Sequence, residues 1–171
     1  MLAELESSRA RLLAEVEGLR DPRFITTPRH GGWSASHVIQ HLTKSEDAIA
    51  RGIELGNAGR LKAKSRASDP WRRLFYHTNL YRVMPFRTGG FADPEHPVGR
   101  TDAMSGIASS RTRLLAAIED GERRGLWTYR MRHPVLGILS MNEMLRFSAY
   151  HEERHRLQIV RIKAALAREG K

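Results

Sequence analysis

Ser140-Met141-Asn142-Glu143-Met144-Leu145-Arg146-Phe147-Ser148-Ala149-Tyr150-His151-Glu152-Glu153-Arg154-His155 opens the segment that decides the fold, and the segment continues to Gly170. Ser140 and Glu143 have the S-x-x-E spacing of a capping box, the reciprocal pair that satisfies the first free N–H groups of a helix. Met144, Ser148, His151, His155, Ile159, Ile162 and Leu166 then recur at intervals of three and four. In a helix of 3.6 residues per turn that spacing forms one inward stripe. His151 and His155 stand one above the other on it, so the two imidazoles can share one metal ion.

The run His151-Glu152-Glu153-Arg154-His155 also matches H-E-x-x-H, the zincin protease signature. A catalytic zinc site needs three protein ligands, and the extended forms of the motif are absent. Gln158 and Arg161 stand where a metzincin has its glycine and third histidine. Glu169 is the one carboxylate after His155, so a third ligand must come from upstream. The protease reading is therefore set aside.

Working outward, residues 2–17 read as a first helix, with Leu2, Leu5, Leu12, Val16 and Leu19 at helical spacing and Gly18 as its stop. Arg20 to Gly32 reads as a turn-rich connection. A second helix is predicted from Ser34, an N-cap residue type, to about Gly56, with Trp33 just before it as a hydrophobic staple. It carries His37 and His41, again four apart. Either or both can meet His151 and His155 across a core, and His41 lies one turn deeper. Asn57 to Ser68 reads as loop, Asp69-Pro70 as the start of a short irregular helix to about Met84, and Phe86 to Arg100 as an irregular loop. His77 and His96 have no partner at ligand spacing. Asp102 is the predicted cap of a helix that carries Met104, Ile107, Leu114, Leu115 and Ile118 and ends at Gly121. Leu126 to Met131 alternates, but a lone strand has nothing to pair with, so it reads as loop or a last helical turn. His133-Pro134 to Gly137 reads as a tight connection. The expected fold is all-α, a single-domain four-helix bundle over 1–171 with long connections and one minor helix.

The 171 residues carry 29 Lys and Arg against 19 Asp and Glu, a formal charge of +10. Arginine supplies 24 of the 29 cations, scattered rather than blocked, with no aromatic-interleaved basic motif. The basic excess reads as a solvated surface rather than a nucleic-acid site. No apolar run is long enough to span a membrane, and the N-terminus does not read as a signal peptide. The absence of cysteine excludes disulfides, thiolate metal ligands and a cysteine nucleophile. The cytoplasm is the expected compartment.

Trp33-Ser34 with His41-Leu42 downstream, His133-Pro134-x-x-Gly137, and His151-x-x-Arg154-His155-x-x-Gln158 together resemble the DinB-like superfamily, which includes bacillithiol S-transferases and mycothiol-dependent isomerases. The resemblance covers nearly the whole chain. It implies a bundle, often dimeric, that binds one divalent metal through His41, His151 and His155, while His37 falls outside the family pattern. Three neutral imidazoles suit zinc, nickel or iron and leave a coordination position for water or substrate. Such an ion lowers the pKa of bound water or activates a thiolate. Glu152, about 100° round the helix from His151, is the candidate catalytic base, with a group that supports the metal ligands by hydrogen bonding or a solvated charge as the alternatives. Gln158 is placed to hydrogen-bond near the metal, and Arg154 to pair with a carboxylate or carbonyl. The expected activity is transfer of a low-molecular-weight thiol, with the basic surface suiting an anionic one, or hydrolysis of a small substrate. The alternatives are a non-catalytic metal- or ligand-binding bundle and, as the weakest, a nucleic-acid-binding module.

Overall fold

The structure is a computed structural model that describes residues 1–61, 92–94, 96–134 and 136–170. It is mostly helical, with four long helices: α1 (Leu2–Glu17), α3 (Ala35–Asn57), α4 (Arg100–Glu122) and α5 (Met141–Arg168). A short α2 (Asp21–Ile25) follows α1. A 3₁₀ turn (Leu126–Thr128) and a two-stranded hairpin, β1 (Arg130–His133) and β2 (Gly137–Ser140), lie between α4 and α5. The predicted minor helix from Asp69 to Met84, with His77, falls outside the described residues. Among the described residues, no helix is long and apolar enough to cross a membrane.

Both predicted capping serines cap. Ser140 and Glu143 bond reciprocally at the start of α5, and Ser34 opens α3. The capping partner of Ser34 is His37, whose Nδ1 accepts from the Ser34 backbone N–H at 3.1 Å. A histidine in place of the usual Glu or Gln hid that box from a pattern reading. The start of α4 differs from expectation. Gly99, not Asp102, is its N-cap, and Asp102 sits in the first turn, where its charge favours the positive end of the helix dipole. The Arg100 N–H is satisfied from a distance, by the Asp21 carboxylate of α2 at 2.9 Å. The turn-rich connection after α1 thus contains a functional piece: α2 caps α4 and places fully buried Phe24 in the core.

The other correction is the hairpin. The reading of a last helical turn holds for Leu126–Thr128, but Arg130 and Met131 begin a strand whose partner lies just beyond the expected connection His133-Pro134 to Gly137. The structure pairs Arg130 with Ser140 and His133 with Gly137, antiparallel, and Gly137 takes a φ of 77° at the turn. The hairpin docks on glycines of α3. A Cβ on Gly56 would lie 2.6 Å from the Tyr129 ring, and one on Gly52 would overlap Met131. Those glycines let sheet and helix approach.

The apolar core has two parts. One contains Leu5 of α1, Ile49 and Ile53 of α3, Leu114 and Ile118 of α4, and Met141, Met144 and Leu145 of α5. The other contains Leu12 and Val16 of α1, Val38 and Leu42 of α3, Ala103 and Ile107 of α4, and Ile159, Ile162 and Leu166 of α5. Helices α1 and α5 run from the first part to the second, and α3 and α4 run the opposite way, so the topology is up-down-down-up. Cross-helix bonds agree: Glu54 meets Arg113 and Asn57 meets Asp120, while Ser8 meets Glu152 and Glu15 meets Lys163. Helices α3 and α4 are thus parallel neighbours, so α3 ends and α4 begins at opposite ends of the bundle. Helix α3 packs chiefly on α4, and α1 chiefly on α5.

Between the two apolar parts lies a polar layer. Each long helix contributes one charged residue: Arg9, Glu46, Arg111 and Glu152 are 6%, 3%, 7% and 2% exposed. The predicted α1 stripe had a gap between Leu5 and Leu12. Ser8 and Arg9 fill it, while Leu2 is exposed.

Candidate metal centre

The box at Ser34 fixes where α3 starts, and so places His41 on its buried face two turns in. The box at Ser140 does the same for His151 and His155 on α5. All three histidines are buried. Their ring nitrogens converge: His151 Nε2 lies 3.1 Å from His41 Nε2 and 3.0 Å from His155 Nε2. The three donor atoms fall within 4.8 Å of one another.

The far side of two rings is fixed. His41 Nδ1 lies 3.1 Å from the Ala92 carbonyl, and His155 Nδ1 lies 2.7 Å from Gln158 Oε1. Both partners are oxygens that only accept, so each Nδ1 carries the hydrogen and each neutral ring turns a bare Nε2 lone pair inward. Such outer hydrogen bonds orient metal-ligating histidines. His151 can place at most one N–H between two inward lone pairs. One close N···N contact is then uncompensated unless a cation is shared. Protonation does not relieve it. Burial, followed by the charges of its histidine neighbours, drives His151 well below the ordinary histidine pKa, and burial pushes His155 down to about 3. His41 is lowered too, by burial, against the Ala92 bond that raises it. The donor set fits a divalent ion of imidazole preference.

Aromatic rings wall the cluster. Trp33 lies 4.9 Å, centroid to centroid, from His41 and stacks at 16° over His155. Phe147 stacks on His151 at 5.2 Å, and His133 meets Phe147 edge-on at 4.3 Å. Trp33 was expected as a staple residue; it also borders the site. His133 was read as connection. The hairpin brings it beside the cluster, its Nδ1 accepts the Leu136 N–H at 3.1 Å, and burial lowers its pKa to about 4. Its presence in the His133-Pro134-x-x-Gly137 motif was a signal, but the hairpin that places it beside Phe147 was not recognised.

The remaining sequence candidates lie elsewhere. His37 is occupied in the Ser34 cap. His96 is exposed. Glu152 is not the solvated charge that was one alternative, for it is 2% exposed. Its carboxylate accepts from Ser8 Oγ, from Arg9 Nε at 2.8 Å and from Arg111 Nη2 at 2.7 Å. Glu46 accepts from Arg9 Nη2 at 2.8 Å, Arg111 Nε at 2.7 Å and Ser110 Oγ at 2.6 Å. Burial works against the Arg111 charge, but the adjoining Glu152 and Glu46 carboxylates outweigh it and raise its pKa overall. This buried network was invisible in sequence, because its bonds join residues 37 to 144 apart.

Comparison with known proteins bears on the family and the fold. No curated protein matches the chain. A solved structure described as "TT2238, a four-helix bundle protein" shares the fold, with a TM-score of 0.57 at 22% identity over 97% of this chain and 95% of that one. The family description of the DinB superfamily matches residues 4–159. With the bundle and the match both spanning most of its length, the chain belongs to the DinB superfamily.

Proposed function

We propose that the chain binds one divalent metal ion, zinc, nickel or iron, through the Nε2 atoms of His41, His151 and His155, and uses it to transfer a low-molecular-weight thiol or to hydrolyse a small substrate. The observation that carries this reading is the meeting of three buried Nε2 atoms, two of them fixed as lone-pair donors by the bonds from Nδ1 to Ala92 and Gln158. When bound, the ion supplies Lewis-acid activation of a thiol or water at a position the three histidines leave open. The chain's own groups orient and shield. Ala92 and Gln158 hold two of the rings, and Trp33 and Phe147 cover their faces. The charge of +10 suits an anionic thiol, and a homodimer is proposed on family grounds alone.

The burial of all three ligands favours one second reading, an ion that only clamps α3 to α5. Titration of the Co²⁺-loaded, tag-free protein with small thiols separates the two. A thiolate-to-cobalt charge-transfer band, followed by turnover of an electrophile, is the expected result. A cobalt spectrum insensitive to every thiol, with no hydrolysis of activated esters, would leave only the clamp.

A further inference from the structure

The buried ions and the histidines occupy the same interface. The bundle is built from two helix pairs, α1 with α5 and α3 with α4, and α3 touches α5 far less than either touches its own partner. The histidine cluster spans the two pairs, His41 from one and His151 and His155 from the other. The ionic layer spans them too, and in a crossed manner. Arg9 of the first pair reaches Glu46 of the second, while Arg111 of the second reaches Glu152 of the first. Each arginine also bonds the glutamate of its own pair. The quartet is formally neutral and supplied with further donors by Ser8 and Ser110. Glu152 directly follows His151, and Glu46 lies five residues, about 7.5 Å of helix rise, after His41.

We propose that Arg9, Glu46, Arg111 and Glu152 are positioning residues for the histidine cluster: they fix the separation and rotation of α3 against α5 and so set the gap between His41 and His151. Glu152 is then a spacer of the site, not its base. Its oxygens are taken up by Ser8 and Arg9 of α1 and Arg111 of α4, so the carboxylate is turned to those helices rather than to the histidine nitrogens. Fork-shaped guanidinium bonds are directional, so they fix geometry as well as neutralising charge. The proposal rests on the metal reading for its function but not for its geometry.

The test uses Glu46→Gln, which alters the network from a residue remote in sequence from His151. Co²⁺ affinity and the visible cobalt spectrum are measured at a temperature where circular dichroism shows the variant folded. In parallel, the distance between α3 and α5 is read in metal-free protein from spin labels at Leu55→Cys and Tyr150→Cys, both exposed positions in a chain without other cysteines. The expected result is Co²⁺ binding weaker by about 10–100-fold, the range for loss of groups that orient ligands, with a changed spectrum and a broadened label distance. Parent-like affinity, spectrum and distance, with only a lower melting temperature, would overturn the proposal and leave the quartet as a structural device. Should Glu46→Gln not fold, Arg111→Lys, which keeps the charge and loses the fork, is judged by the same criteria. If the parent itself binds no Co²⁺, the metal reading fails and the label distances alone decide: broadening supports positioning, and an unchanged distribution refutes it.

Discussion

Removing the Glu46 carboxylate is the sharpest stability experiment that this bundle offers. Glu46→Ala deletes acceptors for Arg9 Nη2 at 2.8 Å, Arg111 Nε at 2.7 Å and Ser110 Oγ at 2.6 Å. It leaves two buried guanidinium groups sharing Glu152 as their one buried carboxylate, with only the exposed Glu6 as a further partner of Arg111. Breaking a buried ion pair from one side costs about 3–5 kcal/mol, because the orphaned charge cannot return to water. For a chain of this size each kcal/mol lowers Tm by about 2–4 °C, so the expected fall is roughly 6–20 °C. The control lies on the same helix. Glu54 pairs with Arg113 at 2.7 Å, but their side chains are 42% and 41% exposed. An exposed pair is worth less than about 1 kcal/mol, so Glu54→Ala should shift Tm by less than about 4 °C. Chelator-treated protein is melted by circular dichroism, with urea unfolding at 25 °C as a check. Equal shifts for the two variants would refute the reasoning. Exchanging all four charges for apolar groups of matched volume is a different experiment, for which a neutral or stabilising outcome is expected.

Other expectations follow from particular contacts. Ser140→Ala removes the side chain that accepts the Glu143 N–H and should cost about 1 kcal/mol, read as a Tm fall of roughly 2–4 °C; no change would mean the box is dispensable. Gly56→Ala puts a methyl group 2.6 Å from the Tyr129 ring and should cost about 1–3 kcal/mol as the hairpin shifts, so parent-like urea unfolding would contradict the close docking of the hairpin. Metal-free stability should fall as pH drops from about 6.5 towards 3: the unfolded chain protonates its histidines near 6.5, whereas burial holds folded His155 near 3 and His133 near 4. The folded state therefore binds fewer protons across that window, and His133→Gln should flatten the slope between about 6.5 and 4; a variant slope equal to the parent's would contradict this.

Local signals in the sequence were direct where chemistry and helix period coincide. The Ser140–Glu143 box and the stripe through His151 and His155 place α5 and two inward histidines without reference to anything else. The order of helices followed from similar stripes. Features made by contacts distant in sequence were not legible. Ser8 and Arg9 occupy core positions on α1 that a hydrophobic pattern marks as a gap, and only α3, α4 and α5 together show why polar groups belong there. The hairpin escaped because each strand is four residues long and neither is regular enough alone. His37 looked like a ligand by spacing and is a cap by contact. Glu152 carried the right residue type beside His151, but a helix rotation of about 100° turns it to α1 and α4.

The central claim is that three histidines from two helices hold one ion. It is tested most directly by elemental analysis of tag-free protein, comparing the parent with the His41→Ala, His151→Ala, His155→Ala triple variant after identical purification and dialysis. One divalent ion per chain is expected in the parent and none in the variant, with both helical by circular dichroism. Metal at the parent stoichiometry in the triple variant would contradict it.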